Sequence, residues 1–481
     1  MLIKRYNPEV CGLKVLLVNP IWSFQNYPPL NLVELASFLI HNGFKNTKII
    51  DLNFEIKNKF RDNLIAGSVK KILKKKPDII CITCNAVQFP FVCELSKELK
   101  LQAKSPVVVG GVTASLDAKL VLKLTKADFV IRGEGELTLF ELLQFFQKKR
   151  DLKNINGLSY ADEVGKIIHN KDRKLLNLDD LPFPHFNLIS KNLKNNKNIW
   201  LTASRGCAYQ CKFCSGNDIW HFQRRKKPSV IEKQLKTLKT KYGVKNFIFG
   251  DDCLTLNKNW LKELCFKIEA LKLKWGCLSR IDLIDEDILK YIKKAGCSHI
   301  YHGIESGSNQ VRKKLDKKMS YPNISILNTV KAEIKQGFSV TCSFMTGIPF
   351  ESQSDMTKTF ELARQIKNTG AKVQLWLLTP YRGLKILKEY KKQLFQINRW
   401  QSGLQSDVFD TGQFFLYSGF INKYAKYNPD NFIFLPKNMT MDKFIKKFND
   451  MSMRLGLKNH KKQLTAKEIF ILKNIKHYLQ I

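Results

Sequence analysis

Eleven short apolar runs, separated by stretches with helical spacing, constrain what this 481-residue chain can fold into. Five lie in the first third: Lys14–Asn19, Thr47–Asp51, Asp78–Thr83, Pro106–Gly110 and Asp128–Arg132. The other six are Trp200–Ser204, Asn246–Gly250, Trp275–Ser279, His299–Gly303, Ser339–Met345 and Lys372–Leu378. Each reads as a buried strand. Helical segments fill the gaps, such as Leu30–His41, stopped by Asn42-Gly43, and Asp285–Ala295, stopped by Gly296. Strand–helix alternation calls for parallel sheets, because a parallel pair needs a crossover where an antiparallel pair needs only a hairpin. The expectation is an α/β chain with a doubly wound parallel sheet over residues 10–150 and an open (β/α)6 barrel over 193–384. Residues 151–192 are expected to hold a hairpin, Ile155–Tyr160 with Gly165–Ile168, and a joint, Leu178–Phe186, stiffened by two prolines. A small helical region is expected over 385–481, with Thr440 as N-cap before Met441.

Both architectures place ligands at the C-terminal ends of their strands. The unusual residues fall there. In the first sheet they are Asn19-Pro20, Thr83-Cys84, Gly110-Gly111-Val112-Thr113 and Arg132-Gly133-Glu134-Gly135-Glu136. Glycine pairs let a backbone approach a bulky ligand. A dinucleotide is disfavoured, since no G-x-G-x-x-G follows the first strand. A phospho-receiver is disfavoured because Thr83 and Cys84 stand where an Asp would end the third strand. In the barrel the ends read Gly250-Asp251-Asp252, Ser279-Arg280-Ile281-Asp282, Gly303-Ile304-Glu305-Ser306, Thr346-Gly347-Ile348-Pro349 and Thr379-Pro380.

The first barrel strand runs into Arg205-Gly206-Cys207, followed by Cys211 and Cys214, a C-x3-C-x2-C spacing. Structural zinc normally takes four ligands in close pairs. Three thiolates in one loop can instead hold three irons of a 4Fe–4S cube and leave the fourth open. Three unrelated buried cysteines and a zinc knuckle are the alternatives. Asp251 and Asp252 have a plainer role open to them, capping the helix expected near Leu256, and Glu305 has one in pairing with a surface lysine.

The net charge of +39 comes from 81 Lys and Arg against 42 Asp and Glu. Most of the excess is scattered lysine, whereas arginine is the better bidentate reader of phosphate. We read it as solvated faces, leaving a nucleic-acid or anionic-membrane partner open. No apolar stretch reaches the roughly 18 residues of a membrane span. The N-terminus lacks an apolar core with a cleavage site, so no signal peptide is expected. Twelve cysteines without paired spacing suit a reducing, cytoplasmic location. Cys81 and Cys84 form a C-x2-C; Cys81, on an apolar strand, is expected to be a core thiol, with a redox or zinc role as the alternative.

The cysteine loop, with Phe213 before its last cysteine, resembles the radical S-adenosylmethionine (SAM) superfamily. The runs "FGDDCLT", "HGIESGS" and "MTGIPFES" resemble its SAM-contacting strand ends. The set "VNP…PLNLVELASFL…PDIICIT…VVVGGVTAS…ADFVIRGEGE" resembles the Rossmann-like cobalamin-binding domain that precedes many such cores. The resemblance implies a 4Fe–4S cluster on Cys207, Cys211 and Cys214. It implies SAM at Phe213, Gly250, Asp251, Asp252, Arg280, Glu305, Ser306, Gly347, Ile348 and Pro349. It implies cobalamin at Asn19, Pro20, Thr83, Gly110, Gly111, Val112, Thr113, Gly133, Glu134, Gly135 and Glu136. Two departures stand out: Thr113 occupies a position where the family often shows His, and the D-x-H-x-x-G signature is missing. The lower cobalt face is therefore expected to lack a protein imidazole.

The activity so implied is reductive cleavage of SAM to a 5′-deoxyadenosyl radical, followed by methylation of an unactivated carbon of a small molecule or lipid. Electrons would come from a donor such as flavodoxin or ferredoxin. Rivals are cyclisation or rearrangement, a tRNA methylthiotransferase, and a non-catalytic scaffold. The second needs three N-terminal cysteines for another cluster, and Cys11, Cys81 and Cys84 are unevenly placed for that. No cysteine follows Cys342, which argues against a C-terminal second cluster.

Overall fold

Every residue of the strand Val15–Asn19 (β1) is buried, as a strand covered on both faces must be. The computed structural model of the chain describes residues 12–21, 28–55, 64–195, 199–319, 321–396, 424, 427 and 432–457. They form two compact units that divide at residues 196/197, with Tyr424 belonging to the first.

In the first unit β1 is joined by Thr47–Asp51 (β2), Ile79–Thr83 (β3), Val107–Gly110 (β4) and Phe129–Ile131 (β5), all parallel. Leu158–Ala161 (β6) and Ile167–His169 (β7) add an antiparallel hairpin, giving the order β2-β1-β3-β4-β5-β6-β7. The strand order reverses between β1 and β3, so the crevice of this doubly wound sheet opens beyond Asn19 and Thr83. The expected hairpin thus continues the sheet. The proline segment also binds along this unit: His185 N donates to Ser37 Oγ at 2.7 Å and Asn192 Nδ2 to Asp51 Oδ2 at 2.6 Å.

In the second unit Ile199–Leu201 (β8), the short Ser204–Arg205 (β9) and Arg224–Arg225 (β10) precede Asn246–Phe249 (β11), Lys274–Ser279 (β12), Cys297–Glu305 (β13), Ser339–Thr346 (β14) and Lys372–Leu377 (β15). The main sheet has six parallel strands in the order β15-β14-β13-β12-β11-β8, and its two edges do not pair with each other among the described residues. This is the open (β/α)6 arrangement. Alternation sorts each strand. Phe247, Phe249, Trp275, Cys277, Ile300 and Val373 are buried, while Trp200, Ile248, Leu278, Tyr301, Gln374 and Trp376 on the other face are partly or fully exposed.

The helix Lys258–Glu269 is capped by Asn257, whose side chain accepts from Trp260 N, so neither Asp251 nor Asp252 caps it. Beyond the barrel, Leu394–Gln396 (β16) pairs antiparallel with Phe432–Phe434 (β17), so the expected helical region also carries a two-stranded ribbon. The helix Met441–Arg454 is capped by Thr440, as its sequence suggests. It buries Phe444, Ile445, Phe448 and Met451, each contributing about 2 kcal/mol.

Candidate functional site

The cysteine loop is closed at its neck. β9 pairs antiparallel with β10, with Arg224 opposite Arg205, so residues 206–223 bulge from a two-stranded stem. Gly206 lies at φ +85°, and a Cβ there would strike Phe222 O and come within 2.8 Å of Trp220 Cβ. Only glycine fits this turn. Asp251, 1% exposed, anchors the stem by accepting from Ala203 N at 3.1 Å and from both the amide and hydroxyl of Ser204. Burial pushes its carboxyl up to about 6. Further along, Lys212 N donates to Leu315 O at 3.0 Å and Cys214 N to Cys211 O at 3.0 Å.

The three thiols are half-buried and mutually coupled, Cys207 acting on both Cys211 and Cys214. Burial raises each above the ordinary thiol value, Cys214 to about 12, while the cations Arg280 and Lys317 lower Cys207 and Cys211. Among the described residues no three His, Cys, Asp or Glu side chains converge as ligands of one metal ion. Three thiolates on one loop can hold three irons of a 4Fe–4S cube and leave the fourth open. A cleft of about 260 Å³ opens beside the loop, lined by Gln210, Cys211, Lys212, Cys214, Asp218, His221 and Lys385.

The strand ends gather around this loop. Arg280 lies with its guanidinium carbon 3.6 Å from the centroid of the Tyr209 ring, so it clamps the loop from beneath. Its fork is committed to Asp282, at 3.1 and 2.7 Å, and to Lys317 O at 2.7 Å. Three of its five N–H groups are thus bonded within the protein. Glu305 adopts φ +72°, a strained value for a residue with a side chain, and its Oε1 accepts from Lys317 Nζ at 3.1 Å. The partner is a buried lysine, 5% exposed, rather than a surface one. Both groups act on Cys211.

Asp252 is exposed, accepts from the Gly206 amide and lies 3.4 Å from where a Cβ on Gly216 would sit. Ser306 Oγ is tied to Thr359 Oγ1 at 3.0 Å and accepts from Ser308 N, which turns it into the wall of the Glu305 loop. Gly250 has Trp200 over it, 2.9 Å from a would-be Cβ.

The last of these strand ends is organised by Glu351, within the run "MTGIPFES". Glu351 Oε1 accepts from Thr346 Oγ1 at 2.7 Å, Gly347 N at 2.7 Å and Ile348 N at 3.1 Å. Its Oε2 is buried without a hydrogen-bond partner among the described residues, and burial pushes the carboxyl up to about 7. Ile348 and Pro349 are buried, Ile348 in a core with Met345, Leu384, Phe432 and Phe434, against which Phe213 packs. Their side chains build the floor, and only backbone is left to meet a ligand. Lys317 carries no sequence signal, since it is one lysine among many, whereas Glu351 lies inside the run "MTGIPFES" and closes the turn of residues 346–348 locally.

In the first unit the strand-end side chains serve the loops themselves. Asn19 Nδ2 donates to Asp51 Oδ1 at 2.9 Å, Glu134 Oε2 accepts from Leu176 N at 3.2 Å, and Pro20 O accepts from Gln88 at 3.4 Å. Gly111, at φ +101°, is required by its own neighbours, since a Cβ would lie 2.7 Å from Cys84 O. Thr113 N donates to Cys84 O at 3.2 Å, which draws the Val112–Leu116 helix against Thr83 and Gly110. Gly133, at φ +71°, has nothing within 4 Å of a would-be Cβ, which leaves open space beyond β5; Gly135 and Glu136 begin the helix behind it. Cys81 and Cys84 are buried and their thiols raised far above the usual range. They are core residues and not ligands of a further cluster; Cys11 lies outside the described residues.

Residues 201–363 match the radical SAM superfamily and residues 23–143 the B12 binding domain. An uncharacterized methyltransferase of Pyrococcus horikoshii is 32% identical over 371 residues, covering 75% of this chain and 77% of the relative. The chain belongs to the cobalamin-binding radical SAM family.

The anaerobic magnesium-protoporphyrin IX monomethyl ester cyclase of Rubrivivax gelatinosus is 24% identical over 448 residues, 88% of this chain and 77% of that one. Among solved structures, the radical SAM methyltransferase TsrM of Kitasatospora setae, with cobalamin and a 4Fe–4S cluster bound, superposes with a TM-score of 0.71 at 16% identity, over 92% of this chain and 91% of that chain. That likeness is one of fold.

A radical SAM, cobalamin-binding chain uses SAM, a 4Fe–4S cluster and cobalamin, and the residues present fit all three. The trio of thiols supplies three cluster corners. The crevice beyond Asn19 and Thr83, where the strand order of the sheet reverses, is where such a sheet receives a ligand, and Gly133 leaves further open space beyond β5. No helix among the described residues is long and apolar enough to cross a membrane.

Proposed function

We propose that this chain is a cobalamin-dependent methyltransferase that places a methyl group on an unactivated carbon of a small molecule or lipid. The reading is carried by the B12 binding domain and the three-thiol loop standing in one chain that is 32% identical to a methyltransferase. When bound, the cluster and SAM supply a radical able to take hydrogen from a C–H bond, and cobalamin supplies the methyl group.

The chain's own residues prepare that chemistry. Cys207, Cys211 and Cys214 hold the cluster by three corners, and Asp251 and Gly206 fix the stem from which they project. Lys317 and Arg280 set two buried cations beside the thiolates. The main-chain carbonyls of Gly250 and Asp251 and the carboxylate of Glu305 serve SAM's ammonium and ribose hydroxyls, and the backbone of residues 347–349 beds its adenine. The inner sheet face, with Trp200, Ile248, Leu278 and Tyr301, offers largely uncharged walls from which water can be excluded. A flavodoxin or ferredoxin supplies the electrons.

Cyclisation is the second reading, favoured by the cyclase relative that spans 88% of this chain. One experiment separates them. Anaerobically reconstituted protein is expected to hold about four irons and one corrinoid per chain. With a reductant it forms 5′-deoxyadenosine, and Cys211→Ala does not. SAM labelled in its methyl group then passes label to the corrinoid. Label that stays on SAM while 5′-deoxyadenosine accumulates would refute methyl transfer and favour the cyclase reading.

A further inference from the structure

Arg312 is a buried cation for which the chemistry above has no use. It lies on the Asn309–Lys314 helix and is fully buried. Its fork donates to three uncharged oxygens: Nη1 to Ser306 O at 2.6 Å and to Asn323 Oδ1 at 3.0 Å, and Nη2 to Tyr321 O at 2.9 Å. Its Nε has no hydrogen-bond partner among the described residues. The carboxylate that acts on it, Asp282, is itself bonded to Arg280. Burial lowers the guanidinium to about 10, still high enough to keep its charge at neutral pH. A buried cation without its own carboxylate weakens a fold, so the geometry that it imposes calls for a reason.

Its three acceptors flank one turn. Ser306 follows Glu305 at the end of β13, and Tyr321 and Asn323 stand where the Asn323–Lys335 helix begins. Asn323 completes the ring by donating from Nδ2 to Gly307 O at 2.8 Å. Within the ring, Asp316 at φ +59° and Lys318 at φ +50° are left-handed residues on either side of Lys317. Residues with side chains persist in that conformation only where their surroundings hold them. Lys317 N donates back to Arg312 O at 3.2 Å, and the flanking Leu315 and Met319 are buried. The turn also meets the cysteine loop. Leu315 O accepts from Lys212 N at 3.0 Å, and Lys317 O accepts from Arg280, whose guanidinium lies against Tyr209.

We infer that Arg312 is a positioning residue: it locks the strained Leu315–Met319 turn, so that Lys317 is held beside Glu305 and the cysteine loop. The inference rests on the reading that a 4Fe–4S cluster is held and reduced there, and adds the residue that fixes its charge environment. An electron gained by the cluster, which passes from the 2+ to the 1+ state, makes it more negative. A buried cation beside its thiolates therefore favours the reduced form. With the clamp loosened, the long Lys317 side chain can carry its ammonium out to water, and the cluster becomes harder to reduce.

The test uses reconstituted full-length protein. It reads the midpoint potential of the cluster by an EPR-monitored titration with dithionite, with iron content and melting temperature measured on the same samples. Arg312→Lys keeps the charge and loses the fork. It is expected to lower the potential by about 60 mV, a tenfold change in a one-electron equilibrium, while about four irons are retained. Lys317→Met should lower it as far, and the double variant no further, because both changes act through one ammonium. Asn323→Ala removes one acceptor and leaves every charge in place; it should move the potential the same way by a smaller step, and it carries the test if Arg312→Lys does not fold.

An Arg312→Lys protein that melts lower yet keeps the unaltered potential would overturn the inference, since Arg312 would then serve the fold alone. So would an unaltered potential in Asn323→Ala, or shifts of Arg312→Lys and Lys317→Met that add in the double variant. Unaltered protein that takes up no 4Fe–4S cluster would instead overturn the cluster reading beneath it.

Discussion

Lys317→Met is the most informative single change. Lys317 Nζ sits 3.1 Å from Glu305 Oε1, with the two side chains 6% and 10% exposed. At that separation two unit charges attract by about 5 kcal/mol for an effective dielectric of roughly 20. Removing the cation alone strands a buried carboxylate, which costs about 3–5 kcal/mol. Glu305→Gln is expected to lose stability in the same sense, by leaving Lys317 without its carboxylate. The double variant, Lys317→Met with Glu305→Gln, should return to within about 2 kcal/mol of the unaltered protein, because no uncompensated charge remains.

Urea unfolding followed by tryptophan fluorescence reads this directly, since Trp200, Trp220, Trp260, Trp275 and Trp376 all lie in the second unit. Single variants within 1 kcal/mol of the unaltered protein, or a double variant as unstable as the sum of the singles, would refute the reasoning.

Gly111→Ala places a Cβ 2.7 Å from Cys84 O at a φ of +101° and is expected to cost about 3 kcal/mol or more locally, lowering cobalamin content while iron content is kept; corrinoid and iron assays on the same sample check it. Glu351→Gln probes a carboxyl whose folded value of about 7 lies above the unfolded 4.5. Because the folded state holds its proton more tightly, the stability contributed by Glu351 is complete below pH 4.5 and is lost as pH rises through 7. The Gln variant should therefore gain on the unaltered protein by up to about 3 kcal/mol between those limits and no further above them, as pH-dependent melting curves would record. Thr440→Ala removes the cap of the C-terminal helix and is expected to cost about 1 kcal/mol, seen as a lower melting temperature of the second unit.

Most strand positions were legible in the sequence to within a residue or two; Trp200–Ser204 and Ile155–Tyr160 were not, since β8 ends at Leu201 and β6 begins at Leu158. Val15–Asn19, buried throughout, sits where its continuous apolar run lies, and Asn246–Phe249 and Lys372–Leu377, buried at alternate residues, sit where theirs do. The cysteine loop was equally legible, because three ligands of one cluster must be close in the chain when they sit on one turn. Side-chain roles at the strand ends were not. Asp251 faces the stem, Arg280 is spent on Asp282 and Tyr209, and Ile348 fills a core. A strand end announces polar or small residues, but it does not say whether they point into the crevice or into their own turn.

What the linear chain determined by itself is therefore the sheet–helix order, the place of the crevices and the thiol trio, all of which follow from local periodicity and short spacing. What only the tertiary structure decided is which charges stand beside the thiols. Lys317, in the turn beyond the Asn309–Lys314 helix, folds back onto Glu305 at the end of β13, and Arg280 at the end of β12 meets Tyr209 of the cysteine loop; no local pattern encodes either approach.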